Sequence, residues 1–534
     1  MADSMAQAHG KKANAFRVSV AVFWRRSVAI TSDCIVLGVA ALSTSSEAKA
    51  AAVVMDGAGT RAVVESTKSQ TVDIQAGAAP AAQLGYQAFE AKRYADALSY
   101  FDEAIKADPS PATLSLRGRI HIALGQNDAA INDFTRALSQ QPRLVDTRLA
   151  RAVVYSNTRR PALAINDYDL VLAVNPVLPR AYIGRGIAFH DLQEPAKAAT
   201  DFVRAAKLES VTDKAVAVDH YRLAALTFAE ARRTDDAIAC ASAALALAPD
   251  DSKLYALRGD IEKTQDDKGK ALVDYETAIR LNPGDTDARQ SLAGLLEDMG
   301  QYQASLDQFN EIFREPRNDP DIYLDHANLT MDMARDEDAD RDYERAEKLR
   351  PAYPRLVHQR MQLRFYRGDY AAAVRDADWW LSTKGKSDSE TNVAYTLLWR
   401  HISMQRQGID DKPYMIAATK GLKTRTTWPY PLIQYLIGRL DERQLRQAAL
   451  RGTPEQRGQR QCEAAAYIGE RRLSQNQPRL AEAEFRRALA VCPFGFIERS
   501  LAVHELQGMA ARDNEYVNEG DSSALEKRRT TPAN

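Results

Sequence analysis

Apolar and small residues recur with helical spacing through most of this chain, and residues 251–283 show the pattern most completely. Gly259 and Ala271 are small residues at places where two helices would approach closely, and larger residues such as Tyr275 follow at helical spacing. Pro283 ends the second segment, because proline cannot continue a helix. The stretch therefore predicts two short antiparallel helices joined by a turn that contains glycine.

The same pattern returns about every 34 residues, which is the period of a helix-turn-helix repeat. The pattern has a small residue at position eight, alanine at twenty and twenty-seven, an aromatic residue at twenty-four and proline at thirty-two, and single units depart from it, as where Ser210 replaces the proline. This pattern resembles the tetratricopeptide repeat. The resemblance implies an all-α tetratricopeptide-repeat solenoid of about ten helix-turn-helix units, and the near absence of strand patterns agrees with it.

Nine units can be placed in residues 78–383. Their position-eight residues are, in chain order, Gly85, Gly118, Ala152, Gly186, Ala225, Gly259, Ala293, Ala327 and Met361. About five extra residues at 211–216 precede the fifth unit, and we expect them to lie in a loop.

The repeat period is lost beyond residue 383. Residues 384–460 hold short apolar segments separated by glycine and proline, which predict an irregular helical connector. The period returns once in residues 461–510, which we interpret as a final repeat followed by a capping helix that starts near Phe496. The charged residues 511–534 have no period and predict a disordered tail.

Residues 1–50 have the pattern of an export signal. Basic residues precede an apolar run, Ile35 to Leu42, and a small-x-small tripeptide ends at Ala50. The run is too short to span a bilayer, which takes about 20 residues. We therefore expect cleavage before Ala51, a flexible spacer over residues 51–77, and a periplasmic or secreted protein. The alternative is a cytoplasmic protein with a disordered N-terminal extension.

Composition does not favour nucleic acid as a partner. Hydrophobic residues make up 45% of the chain and charged residues 27%, with a formal net charge of -1 and basic residues that are scattered rather than clustered. No phosphate-binding loop, nucleophile elbow or zinc-binding motif occurs, so we expect no cofactor, no metal, no small-molecule substrate and no catalysis. Membrane association is not evident.

Four acidic residues, Asp336, Asp338, Asp340 and Glu347, have the spacing of a calcium-binding loop. Arg341 stands where such a loop needs glycine, and the repeat period continues through the stretch. We therefore interpret it as a helix with a solvated acidic face.

Residues near the C-terminus resemble those of bacterial exported NlpI-type tetratricopeptide lipoproteins. The resemblance covers about 80 residues and rests on Trp428-Pro429, Cys462-Glu463-Ala464, Cys492-Pro493, Phe496 and Glu498. It implies an adaptor of the bacterial cell envelope that brings proteins together. The lipid-attachment motif of those lipoproteins is missing around Cys34, so the resemblance implies export without an anchor.

Arginine recurs at position seven of five repeats, as Arg117, Arg151, Arg185, Arg258 and Arg360. The same five repeats carry aspartate at position twenty-three, as Asp133, Asp167, Asp201, Asp274 and Asp376. The two positions are about equally far from the turn, so we expect each arginine to pair with its own aspartate. As largely surface pairs they would each contribute about 0–1 kcal/mol. A ladder that binds anions is the alternative.

The resemblance implies a partner-binding groove lined by the first helix of each hairpin, at positions two, five, nine and twelve. In the early repeats these positions carry an apolar strip: Tyr86, Phe89, Ile122, Leu149, Val153, Ile183, Ile187 and Leu226. These side chains predict a site for a protein or peptide segment. They could instead pack between repeats.

Cys462 and Cys492 stand at positions one and thirty-one of the last repeat. An antiparallel hairpin brings these positions together, so we expect a disulfide in an oxidising compartment, with Cys240 left unpaired. Two reduced, buried thiols are the alternative if the protein is cytoplasmic.

Two classes of function remain. The favoured one is a non-catalytic scaffold or adaptor of the cell envelope, with a cytoplasmic scaffold as its variant. The other is an enzyme with an unrecognised catalytic segment in residues 384–460, which holds a single histidine, His401.

Overall fold

The computed structural model describes residues 80–385, 387–423 and 427–511. Within these ranges the chain is entirely helical, without a strand, and it forms two compact units, residues 80–284 and residues 285–511. The predicted signal (1–50), the predicted spacer (51–77) and all but the first residue of the predicted tail (511–534) lie outside the described residues.

The first unit is a row of six helical hairpins. Its helices are α1 (Pro80–Glu90), α2 (Tyr94–Ala107), α3 (Pro111–Ala123), α4 (Asn127–Gln140), α5 (Val145–Asn157), α6 (Pro161–Val174), α7 (Pro179–Asp191), α8 (Pro195–Glu209), α9 (Lys214–Glu230), α10 (Thr234–Leu247), α11 (Ser252–Thr264) and α12 (Lys268–Leu281). Each odd-numbered helix packs on the next even-numbered one, and each hairpin then packs on its neighbour. The predicted solenoid is confirmed.

The small residue at position eight lets the two helices of a hairpin touch. A Cβ atom added to Gly118 would lie 2.5 Å from the ring of Phe134, and one added to Gly186 would lie 2.6 Å from the ring of Phe202. Both rings are fully buried. A larger residue at position eight would therefore push the helices apart.

The turn between the two helices uses a left-handed residue, as at Gly125 (φ 72°). In the hairpin α11–α12 this residue is Asp266 (φ 62°), whereas Gly269 lies inside α12. The expectation that glycine makes this turn is therefore wrong. Aspartate tolerates the left-handed conformation better than most residues, because its short side chain can hydrogen-bond locally.

The extra residues at 211–216 do not all lie in a loop. Helix α9 begins at Lys214 and has 17 residues, against 13 in α7 and α11. Part of the insertion therefore lengthens a helix. Asp213 caps the new end, because its side chain accepts a hydrogen bond from the Val216 amide.

The second unit starts with three further hairpins and continues with a less regular set of helices. They are α13 (Thr286–Asp298), α14 (Tyr302–Ile312), α15 (Pro320–Asp332), α16 (Asp336–Leu349), α17 (Pro354–Tyr366), α18 (Tyr370–Thr383), α19 (Glu390–Arg406), α20 (Lys412–Ala418), α21 (Tyr430–Leu436), α22 (Glu442–Ala449), α23 (Pro454–Ser474), α24 (Pro478–Val491) and α25 (residues 497–511).

The irregular segment before the last repeat is helical, as predicted, and is part of the core. Trp399 and Leu398 of α19 are buried in a cluster that also contains Tyr467 and Phe485 of the last hairpin. Helix α23 begins at Pro454, so the predicted boundary between residues 460 and 461 falls inside a helix.

The hairpin packing can be tested with Gly118→Ala. The added methyl group collides with the Phe134 ring. Overpacking costs about 1–3 kcal/mol, which exceeds the roughly 0.5–1 kcal/mol that alanine gains in a helix. We expect a lower midpoint of thermal unfolding, followed by circular dichroism. The matched control is Gly458→Ala in α23, where nothing lies within 4 Å, and it should raise the midpoint. Equal shifts of the two variants would contradict the packing argument.

Candidate functional site

First helices of neighbouring hairpins adjoin in the middle of the first unit, where α5 contacts both α3 and α7. Most of the predicted strip lies half-buried on these first helices. The half-buried members are Tyr86, Phe89, Ile122, Val153, Ile183, Ile187 and Leu226.

Leu149 differs from the other members of the strip. It is 8% exposed and packs in a core cluster with Tyr168 and Val171 of α6 and Ala181 of α7. A partner could not contact its side chain without repacking this cluster. Leu149 therefore belongs to the core beneath the strip and is not part of the accessible surface.

The strip is continuous across two hairpins. Ile183 and Ile187 of α7 and Leu226 of α9 pack against one buried cluster, which includes Ala225 and Ile261. Their inner atoms therefore serve the packing between repeats, while their outer atoms remain accessible. The packing between repeats is therefore observed, and binding of a partner by the same side chains stays a prediction.

Polar pairs lie at both ends of the first helices. Near the helix starts, Arg180 Nη2 donates to Asp146 Oδ1 at 2.8 Å. Near the helix ends, His190 Nε2 lies 3.0 Å from Glu230 Oε2. The apolar strip is thus bordered by charge on two sides. Sequence reasoning missed both pairs, although Asp146 and Arg180 are one repeat period apart.

The five repeated arginines pair with their own aspartates, as predicted. In each pair Arg Nε and Nη2 donate to the two carboxylate oxygens at 2.6–3.1 Å. The Nη1 atom of each arginine also donates to the second helix of the preceding repeat, where the acceptors are Asp102, Thr135, Asp169, Ser242 and Glu347. The guanidinium groups are therefore engaged within the array and do not form an anion-binding ladder.

The expectation that these pairs lie at the surface is wrong. The aspartate side chains are 1–7% exposed and the arginines 14–24% exposed. Breaking a buried pair costs far more than breaking an exposed one, because it leaves an unpaired charge out of water. In the eighth repeat His326 takes the place of arginine, and its Nδ1 atom contacts Asp342.

The acidic stretch with calcium-like spacing is helix α16, as interpreted. Its carboxylates pair with arginines: Asp340 with Arg367, and Glu347 with Arg360. In the described part of the chain, no three side chains of the metal-binding types come together.

Cys462 and Cys492 form a disulfide with their Cα atoms 4.8 Å apart. Cys462 lies in the third turn of α23, so it does not begin that helix as expected. Cys240 is buried, and burial raises the pKa of its thiol to about 12. Formation of the bond in the protein's own compartment stays a prediction.

Residues on which the C-terminal resemblance rests come together in the second unit. Glu463 Oε2 accepts hydrogen bonds from Trp428 Nε1 at 2.8 Å and from the Tyr395 hydroxyl at 2.6 Å. Burial raises the pKa of Glu463 to about 7. Glu498 is 4% exposed, and the charge of Glu463 acts on it. Sequence analysis named these residues without predicting that they meet.

His401, the single histidine of the segment considered for catalysis, is fully buried. Its Nδ1 atom lies 3.3 Å from Asp411, and Arg400 contacts the same carboxylate. A substrate has no access to this ring in the structure.

A family model described as "Tetratricopeptide repeat" matches residues 83–143, 115–169, 149–214 and 222–285. The chain thus contains tetratricopeptide repeats across the first unit. Proteins with these repeats generally bind protein partners. No curated protein matches the chain.

Several solved tetratricopeptide structures are similar to this chain. Yeast Tom70 is 16% identical, with 84% of this chain and 98% of that chain covered and a TM-score of 0.33. The C-terminal part of a repeat protein from Cytophaga hutchinsonii is 16% identical, covering 52% and 98%, with a TM-score of 0.36. A repeat protein from Parabacteroides merdae is 18% identical, covering 52% and 95%, with a TM-score of 0.26. At these values the likenesses carry no functional argument.

Within the described ranges, no helix combines the length and the apolar character needed to cross a bilayer.

Arg185→Met should destabilise the first unit by about 3 kcal/mol, because it leaves the buried Asp201 carboxylate without its partner. Arg93→Met is the matched control. Its pair with Asp96 is 62% and 54% exposed, so less than about 1 kcal/mol should be lost. Urea unfolding followed by circular dichroism measures both. Equal losses would show that the Arg185 pair behaves as a surface pair.

Proposed function

We propose that this protein is a non-catalytic interaction scaffold that binds a segment of a partner protein on the apolar strip of the first unit. The observation that carries the proposal is a set of partly exposed apolar side chains on the first helices, where Ile183 and Ile187 of α7 and Leu226 of α9 pack against one buried cluster. Contiguous exposed apolar surface usually marks an interaction site. The repeats supply the rigid framework that holds these side chains in place.

The edges of the strip suggest the chemistry of the partner segment. The Arg180–Asp146 pair and the His190–Glu230 pair offer charges of both signs beside an apolar centre. An amphipathic helix or an extended segment fits this arrangement, with apolar side chains toward Ile187 and polar ones toward the edges.

The strip can be tested with the double variant Val153→Asp and Ile187→Asp. Both residues are half-exposed, so the change adds charge at the surface while the core residue Leu149 stays intact. A partner captured by wild-type protein and identified by mass spectrometry, then purified, should bind the variant at least about tenfold more weakly, since two charges would be desolvated.

The matched control for the strip is Leu163→Asp with Leu170→Asp on α6. These residues are 49% and 43% exposed and lie on a second helix, away from the strip. This variant should bind like the wild type, and circular dichroism should show equal helicity for all three proteins. Unchanged affinity of the strip variant would move the binding site elsewhere.

We further propose that the scaffold acts in the bacterial cell envelope. The pattern of residues 1–50 and the resemblance of the C-terminal residues to exported lipoproteins support this location. The cytoplasmic scaffold is the competing proposal, and the state of the cysteines separates the two.

Protein from the envelope should start near Ala51 and hold a Cys462–Cys492 bond. Intact-mass analysis after alkylation under denaturing conditions should show loss of residues 1–50 and one labelled cysteine, Cys240. Closing a loop of this length stabilises the last hairpin by about 3–4 kcal/mol on the chain-entropy model, so reduction should lower the unfolding temperature. A chain that keeps its N-terminal segment and carries only labelled thiols would support the cytoplasmic alternative.

A further inference from the structure

Helix α25 makes polar contacts with parts of the second unit that are distant in sequence. The Ser500 hydroxyl donates to Asp332 at the end of α15. His504 Nε2 lies 2.9 Å from Asp336 Oδ1 at the start of α16, a residue 168 positions earlier. Glu505 pairs with Arg406 at the end of α19. The last described helix thus bridges three earlier helices.

The two polar contacts of His504 suit a charged imidazolium. Its Nδ1 atom lies 2.8 Å from the carbonyl oxygen of Ser500, and its Nε2 atom faces the Asp336 carboxylate. Both partners are acceptors, so both ring nitrogens must carry a proton for the two bonds to form. The ring also stacks on Tyr366, with centroids 4.1 Å apart and an interplanar angle of 12°.

Burial lowers the pKa of His504, but the hydrogen bond to Asp336 and its charge more than offset this effect. The net pKa lies above the usual histidine value. The histidine side chain is 8% exposed, so little water competes with the carboxylate. Docking of the helix and protonation of His504 therefore favour each other.

Glu498, in the first turn of the same helix, is a second group that binds its proton more tightly when it is buried. It is 4% exposed, and among the described residues no cation pairs with its carboxylate. Burial, followed by the charge of Glu463, raises the pKa of Glu498 well above its usual value. A docked Glu498 is therefore neutral over a wider pH range than a solvated one.

Other titratable and charged groups surround α25, and they come from every helix packed against it. They are Asp332, Asp336, Tyr366, Tyr395, Arg406, Glu463, Tyr467 and Glu470. Tyr302 and the C-terminal end of α13 lie near Arg499. Arg406 is held by both Glu470 and Glu505 and stays charged. The proton-dependent groups of α25 itself are Glu498 and His504.

We propose that helix 497–511 is a proton-dependent latch, docked most firmly on the ends of α15, α16, α17 and α19 when Glu498 and His504 carry their protons and opening locally more often as these protons are lost.

The direction follows from linkage. Both groups bind protons more tightly when the helix is docked, so docking is fully stabilised below their undocked pKa values, near 4.3 for glutamate and 6.5 for histidine. This stabilisation is lost as pH rises through the docked values. Between pH 5.5 and pH 8.5 the latch should weaken. Buried Leu501, Ala502 and Met509 still hold the helix, so opening is a minor, local event.

Opening would uncover a defined surface. The Tyr366 ring, now stacked under His504, and the Asp332 and Asp336 carboxylates would become accessible at the ends of three helices. This is an aromatic and acidic surface, distinct in chemistry from the apolar strip of the first unit. The latch therefore stands independently of the proposed function.

Hydrogen exchange followed by mass spectrometry on the full chain tests the latch. Protection factors of amides in residues 497–511, corrected for the intrinsic effect of pH on exchange, are compared at pH 5.5 and pH 8.5. We expect them to fall by at least about tenfold, since one proton released per opening changes the opening constant up to tenfold per pH unit. Amides of α3 and α24 should change by less than about twofold.

Variants of Glu498 and His504 test whether these two side chains cause the pH dependence of protection. Glu498→Gln and His504→Gln keep approximate shape and hydrogen-bonding capacity without titrating. Each should remove part of the pH dependence, and together they should remove most of it. Glu463 and Glu470, whose pKa values burial raises to about 7 and about 8, account for the remainder. The matched control is Glu505→Gln on the same helix, which weakens the pair with Arg406. It should lower protection at both pH values by the same factor and keep the pH dependence.

Three outcomes would overturn the proposal. One is wild-type protection of residues 497–511 that does not change with pH. Another is an equal fall in α24, which would indicate global destabilisation. The third is a double variant whose pH dependence is as large as that of the wild type. If the double variant does not fold, the pH dependence of the wild-type protein and of the two single variants still tests the proposal.

Discussion

The contact between the small residue at position eight and the aromatic ring at position twenty-four governs the rest of this structure. A Cβ atom at Gly85, Gly118 or Gly186 would lie 2.5–2.8 Å from the ring that covers it. This spacing sets how closely the helices of a hairpin approach. Neighbouring hairpins can then pack closely, and positions nine and twelve carry most of the half-buried side chains of the apolar strip. The candidate surface exists because the hairpins are narrow.

The arginine at position seven fixes how the packed helices are aligned along their axes. Apolar contacts hold helices together but fix their relative position along the axis only weakly. Arg185 donates to both oxygens of Asp201 within its own hairpin and to Asp169 in the preceding one. One side chain thereby fixes the alignment of two helices and of two repeats. Because the aspartate is buried, a shift in alignment would leave its charge unpaired, which makes the pair a condition of the fold.

The second unit replaces periodic packing with contacts between distant parts of the chain. Its largest core joins α17, α19, α23 and the C-terminal helix around Trp399 and Tyr467. Several buried polar groups in this core are hydrogen-bonded. The Glu463 carboxylate, for example, accepts hydrogen bonds from Trp428 and Tyr395. Glu498 differs, because it is buried and the charge of Glu463 opposes its ionisation. The packing of such groups depends on pH, which is the physical basis of the proposed latch.

Sequence alone determined the features that repeat. The hairpins, the small and aromatic contact positions, and the pairing of Arg117 with Asp133 all lie within one period of about 34 residues, so local spacing predicts them. The cysteine pair could be placed for the same reason, since its residues lie 30 positions apart in one hairpin.

Only the tertiary structure decided which side chains are buried and which distant residues meet. The aspartates at position twenty-three are buried against their own arginines, and Leu149 is buried because side chains of α6 and α7 pack on it. The spacing of residues within one hairpin does not predict which side chains other helices bury. The contacts of α25 with Asp332 and Asp336 join residues 168 positions apart, where no period exists. These contacts form only when the whole second unit packs. The free energy of burial depends on which residues become neighbours in space, and the order of residues along the chain does not specify that.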